Sequence, residues 1–306
     1  MTTCSNTPSF KKKAQGNGKD KAAVYGLLYR TPSFLRLRQH GIGKALVQVK
    51  TPRKHPVFDR ATQNIKLSEF GEEAEYRLKE MEDLVEFYKQ HPLTDENGTE
   101  YHLAYRVFNN GSLREGGRIY GHWQTVKVKD RNRRLDFTID GEELVEIDIK
   151  ACFLYLAYAT SGSNHPLPKD PYAVLAKKEE YGRDAVKSFV NTFFSKGGGV
   201  NSFTKGYRSQ FKVNDKDKVE YWLEDLFTAY PFLRHYKSSA GELMFKESEL
   251  ILEVIKSLKE KEIVAYSVHD SLLAKRSDES MVISELQRVM INKLGNEAYL
   301  EVEYKQ

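Results

Sequence analysis

Val145-Glu146-Ile147-Asp148-Ile149-Lys150 and Tyr266-Ser267-Val268-His269-Asp270-Ser271 are two short apolar runs, and each delivers an aspartate. Their β-branched and aromatic residues read as strands. A carboxylate at the end of a buried strand is costly unless it is paired or binds a cation. Brought together by one sheet, Asp148 and Asp270 make an oxygen-donor site of the kind that suits Mg²⁺. The spacing also allows each aspartate simply to cap a turn or the next helix.

Outward from these runs, strands and helices mix. Ser68 to Gln90 reads as an amphipathic helix: Leu78, Met81, Leu84, Val85 and Tyr88 recur at helical spacing, and Pro92 follows the end. Residues 101–140 read as short strands and loops, with turn signals at Asn109-Asn110-Gly111, Gly116-Gly117 and Asp140-Gly141. Residues 151–159 are predicted as a buried helix, and residues 172–196 as largely helical up to Gly197-Gly198-Gly199. Within that segment Arg183 and Lys187 stand four apart and share a face. Such a pair can hold a triphosphate, or it can decorate an exposed helix. Helices over 216–237, 240–261 and 278–293 and a last alternating strand over 299–304 complete the pattern, which predicts an α+β core.

Charge is unevenly placed along the 306 residues. The whole chain has 48 Lys and Arg against 43 Asp and Glu, a formal +5. Residues 1–60 hold 13 of the basic residues and only Asp20 and Asp59, whereas the rest is net acidic. A basic head suits a polyanion, with nucleic acid the leading candidate, and is also what a solvated tail looks like. Residues 1–22, including Lys11, Lys12 and Lys13, read as a disordered tail. There is no run of about 18 apolar residues and no signal-peptide core. Cys4 and Cys152 cannot build a disulfide scaffold, and no CxxC or HxxxH spacing marks a zinc site. These features suggest a reducing, cytoplasmic setting with no membrane.

Four segments, in order, resemble those of the family A (Pol I-like) DNA polymerases and the related single-subunit RNA polymerases. They are Gly117-Arg118-Ile119-Tyr120 with Trp123-Gln124 and Arg131, Arg133 and Arg134; then Val145 to Lys150; then Asp170-Pro171-Tyr172 through Arg183-x-x-x-Lys187; then Ser267-Val268-His269-Asp270-Ser271. The helix around Glu247 is also similar to its counterpart. The resemblance implies a right-hand fold. An antiparallel-sheet palm would span residues 101–160 and 238–306, small helical fingers 161–237, and a basic, thumb-like, DNA-binding region 23–100. It also implies template-directed DNA synthesis from dNTPs on a DNA primer–template, in a bacterial or phage-infected cell and associated with its nucleoid. A compact phage or mobile-element origin fits.

The implied roles follow residue by residue. Asp148 and Asp270, with the Ile149 carbonyl, would hold two Mg²⁺ ions, Mn²⁺ substituting. Lys187 would neutralise the triphosphate and protonate the leaving pyrophosphate, and Arg183 would contact the γ-phosphate. His269, Arg118, Gln124, Arg131 and Arg134 would meet primer and template, while Lys11, Lys12 and Lys13 would track phosphates. Three departures stand out. Ser271 follows the second aspartate where the DNA polymerases have a glutamate, and the RNA polymerases favour serine. Ser195 and Lys196 replace a Tyr-Gly. Phe153 stands where DNA polymerases place the glutamate that disfavours a ribose 2′-hydroxyl, and its bulk points to deoxynucleotides. Nothing ahead of Tyr101 resembles a 3′–5′ exonuclease, which needs a spread of acidic metal ligands, and residues 1–60 offer only two acids, so no proofreading is expected. Two alternatives remain: an RNA polymerase or primase-like nucleotidyltransferase taking NTPs, and an inactive nucleic-acid-binding homologue.

Overall fold

Apolar residues at period two and period 3.6 build the elements in turn. The computed structural model describes residues 57–59, 67–124, 133–163, 167–176, 182–211 and 218–305. Lys11, Lys12, Lys13 and Arg131, all expected to meet nucleic acid, lie outside the described residues. The described residues fall within the compact unit His55–Gln306. Strand β1 (Val57–Asp59) is followed by helix α1 (Leu67–Gln90) and the short strands β2 (Leu93–Thr94) and β3 (Glu100–Tyr101). Strands β4 (Ala104–Asn109) and β5 (Ser112–Gly121) form a hairpin, and β6 (Thr138–Ile139) and β7 (Glu142–Ile149) form another. Helices α2 (Cys152–Ser161), α3 (Pro171–Ala176), α4 (Gly182–Ser195), α5 (Lys205–Phe211), α6 (Lys218–Ala229) and α7 (Ala240–Lys259) follow. Strands β8 (Ala265–Val268) and β9 (Ser271–Lys275), helix α8 (Glu279–Leu294) and strand β10 (Leu300–Tyr304) come last.

The larger sheet runs β3-β2-β6-β7-β9-β8, with β10 also paired to β7, and its ladders are antiparallel. A second sheet, β1-β4-β5, has its β1–β4 pair parallel. The mixture of helices with mainly antiparallel sheet is α+β. Among the described residues no helix is long and apolar enough to cross a membrane.

Boundaries depart from the sequence reading where local chemistry intervenes. Asp148 is the penultimate residue of β7, but β8 stops at Val268, which leaves Asp270 in the turn rather than on a strand. The helix expected over 216–237 ends at Ala229. Pro231 cannot continue the ladder, and residues 231–235 form a 3₁₀ turn instead.

Helix α7 is well specified. Ser239 and Glu242 make a reciprocal capping box, and Leu243, Leu250, Ile251, Val254, Ile255 and Leu258 bury one face. Helix α1 joins the same core through Ala74, Met81, Leu84, Phe87 and Tyr88, and the Tyr88 hydroxyl donates to the Ala265 carbonyl at 2.7 Å. A buried arginine ties the smaller sheet to α1 and α7. Arg106 on β4 is fully buried and donates to the Gly117 carbonyl at 2.6 Å, Glu249 at 2.6 Å, Glu80 at 3.1 Å and Ser248 at 3.1 Å. Gly117, at φ 74°, permits that approach: a Cβ there would stand 2.7 Å from Arg106 Nη2 and 3.0 Å from the Phe108 ring.

Candidate active site

The register of β7 assembles the site. Asp148 stands opposite Ser271 on β9 and opposite Glu301 on β10. The Ile149 N–H donates to the Asp270 carbonyl at 3.1 Å. Two aspartates far apart in sequence thus meet at one end of a strand pair. Both approaches use left-handed backbone at a residue other than glycine: His269 at φ 60° in the β8–β9 turn, and Ala151 at φ 57° where β7 turns into α2. Such positions cost on the order of 1–2 kcal/mol each and gather at functional sites.

A cavity of about 330 Å³ opens over this junction. Asp148, Ile149, Phe153, Lys187, His269 and Asp270 line it, together with Arg118, Arg134 and Glu247. Most of its carboxylates are already partnered. Glu247, buried on α7, receives Arg118 Nε at 2.6 Å and Nη2 at 2.8 Å. Burial pushes the Glu247 carboxyl up to about 7, against the pull of Arg118. The forked geometry is that of an ion pair. Glu146 holds Arg134 at 2.9 Å and accepts from the Ser271 hydroxyl at 2.7 Å. Asp148 Oδ2 lies 2.7 Å from Lys150 Nζ.

Asp270 and Lys187 differ, since neither has an ion-pair partner among the described residues. Burial, and then the charge of Asp148, push the Asp270 carboxyl up to about 6, with Arg118 and Lys187 opposing. A cation placed between the two carboxylates would relieve that repulsion. Among the described residues no group of three or more His, Cys, Asp or Glu side chains is arranged to hold a metal. The donor set is two carboxylates with the Ile149 backbone beside them. That is too few for a protein-only zinc or calcium cage, but it fits Mg²⁺, which keeps waters and takes one or two carboxylates with substrate phosphates.

The remaining expected residues scatter. His269 lines the cavity edge-on to Tyr120, ring centroids 5.8 Å apart. Burial, then Arg118 and Arg134, push its imidazole down to about 4, so it is neutral at pH 7. Its buried Nδ1 has no partner among the described residues. The Phe153 ring sits 5.8 Å from the Arg118 guanidinium and meets Phe194 edge-on at 6.0 Å. Arg183 is not in the cavity lining: its Nε donates to Asp170 Oδ2 at 2.7 Å and its guanidinium lies over the Tyr172 ring. Gln124 is turned inward, its amide donating to the Ser267 carbonyl at 2.7 Å and the Ile119 carbonyl at 3.1 Å.

Sequence reasoning passed over Lys150, Glu146, Tyr172 and Asn191, all in the cavity wall. For the first two a signal existed: both lie at period two from Asp148, so all three share one side of the strand direction.

No family model matches this sequence, and no curated protein does. Among solved structures the chain is similar to the POL domain of Pol1 from M. smegmatis in complex with DNA primer-template and dNTP. The identity is 14% and the TM-score 0.45, covering 76% of this chain and 51% of that one. The chain therefore spans about half the length of that neighbour.

Proposed function

We propose that this protein is a template-directed DNA polymerase, transferring a nucleotidyl group from a dNTP to a primer 3′-hydroxyl. One observation carries the reading. Asp270, crowded by Asp148, and Lys187 of α4 enter one charged cavity with no ion-pair partner among the described residues. A carboxylate pair that wants a cation, beside an ammonium that wants an anion, suits a metal–triphosphate. Asp148 and Asp270 would hold two Mg²⁺ ions, or Mn²⁺ in their place. Bound there, the metal would supply Lewis acidity that lowers the pKa of the 3′-hydroxyl and offsets charge on the phosphates.

The chain's own groups do the rest. Lys187 takes up triphosphate charge. It passes a proton to pyrophosphate as the bond from the α-phosphorus to the bridging oxygen breaks and the bond to the 3′-oxygen forms. Phe153 crowds the sugar and favours the deoxy form. Neutral His269, in the cavity wall, positions the primer terminus. Arg118 and Arg134 keep N–H donors beyond their carboxylate partners for template and primer phosphates. Arg183 reaches a γ-phosphate only by leaving Asp170. The β7–β10 sheet serves as palm and α3 to α6 as fingers. The basic head and α1 serve to hold the duplex.

Primer extension with Mg²⁺ and either nucleotide set is the test. Extension with dNTPs, abolished by Asp148→Asn and by Asp270→Asn, is expected. Extension with NTPs alone would move the assignment to an RNA polymerase or primase. If neither set is incorporated, or if Asp148→Asn still extends, the reading fails.

A further inference from the structure

Lys150 takes no part in the chemistry above, yet its side chain is 7% exposed and ends on Asp148. Nζ lies 2.7 Å from Asp148 Oδ2 and also contacts the Glu301 carboxylate. The backbone holds it there. Glu301 stands directly opposite Asp148 in the β7–β10 ladder, and the Lys150 N–H donates to the Tyr299 carbonyl at 2.9 Å. Burial works against the ammonium's charge, and the hydrogen bonds to Asp148 and Glu301 restore it. An ammonium seated on a carboxylate competes with any other cation for it. It fills one oxygen and adds a positive charge beside the metal position. Glu301 works the other way, sharing the ammonium and easing its hold on Asp148.

We infer that Lys150, balanced by Glu301, is a positioning residue that occupies Asp148 Oδ2, leaves Oδ1 for a divalent cation and weakens the resting affinity of the site for metal. The inference rests on the two-carboxylate reading above. With the site so tuned, a cation is held firmly only when the negative charge of a triphosphate joins it. Metal and nucleotide then load together, and the free protein does not keep a tightly bound ion.

The test is Mn²⁺ binding to the full chain without nucleotide, followed by the electron-paramagnetic signal of free Mn²⁺. Lys150→Met should tighten binding by about tenfold, the scale typical of groups that act on a ligand from behind. Glu301→Gln should weaken binding, because the whole ammonium charge then falls on Asp148. Lys150→Arg should bind nearly as wild type. Lys150→Met should also extend primers more slowly at saturating metal, since Asp148 is no longer held. A purely structural lysine would not give opposite shifts on its own replacement and on that of Glu301. Should Lys150→Met fail to fold, Glu301→Gln decides, for that side chain is 48% exposed and tolerates the change. If the wild type binds Mn²⁺, Asp270→Asn does not, and the Lys150 and Glu301 variants match the wild type, the inference falls while the metal site stands. If neither the wild type nor Lys150→Met takes up Mn²⁺, the two-carboxylate reading falls and the inference with it.

Discussion

Asp270→Asn should raise the stability of the metal-free protein while abolishing synthesis. The Asp270 carboxyl is raised from 3.8 to about 6, first by burial and then by Asp148. A lift of roughly two pH units corresponds to about 3 kcal/mol. The cavity is open to water, which screens part of that, so about 1–2 kcal/mol is the expected gain from removing the charge. For a body of this size that is on the order of 2–8 °C in melting temperature. The sign follows from linkage. The folded form binds the proton more tightly than the unfolded chain, so this group's favourable contribution is complete below about 3.8. It is lost as pH rises through about 6. The gap between variant and wild type should therefore be widest at pH 8 in EDTA and narrow toward pH 4.5. Mg²⁺ at about ten times its dissociation constant should restore about 1.4 kcal/mol to the wild type and little to the variant. Differential scanning calorimetry at the two pH values, with and without Mg²⁺, reads all of this. A variant that melts no higher than the wild type at pH 8, or a gap that ignores pH, refutes the crowded-carboxylate reasoning.

Other perturbations separate chemistry from scaffold. Lys187→Ala should slow single-turnover extension by about 10²–10⁴, with the melting temperature little changed, since Lys187 has no ion-pair partner among the described residues and acts on Asp270 only through space. Arg118→Ala leaves Glu247 buried and unpaired and should cost about 3–5 kcal/mol in urea unfolding; pairing it with Glu247→Leu should recover much of that loss. Gly117→Ala should cost about 1–3 kcal/mol, because the new Cβ meets Arg106 and Phe108 at a positive φ. Neutralising Lys11, Lys12 and Lys13 together should weaken DNA binding and lower the salt-dependence slope by about 2–3, with single-turnover chemistry spared.

Much of the architecture was legible before any coordinates. Helix α1 declares itself by Leu78, Met81, Leu84 and Tyr88, and α8 by Val282, Leu286 and Val289, because a buried stripe repeats every turn. The strands β7 and β8 were legible as dense apolar runs. The two-residue strands β2, β3 and β6 were not, since two residues hold no period and exist only through their neighbours' hydrogen bonds. In the site, Asp148, Asp270, Lys187 and Phe153 were expected together, and the structure does gather them in one cavity. Arg183 and Gln124 were expected with them but face Asp170 and the Ser267 carbonyl instead.

Sequence by itself determined which residues carry charge, which runs are apolar, and that two apolar runs each lead to an aspartate. These are properties of residue type and period, written in the local order of the chain. Tertiary structure alone decided the partners. It seated Glu247 on Arg118, Glu146 on Arg134 and Lys150 between Asp148 and Glu301, and it left Asp270 with no such partner among the described residues. The physical reason is that an ion pair is set by strand register and helix packing. Residues 129 positions apart, such as Arg118 and Glu247, meet only once α7 packs against β5. Which charges are cancelled, and which remain to bind a substrate, is therefore a property of the fold.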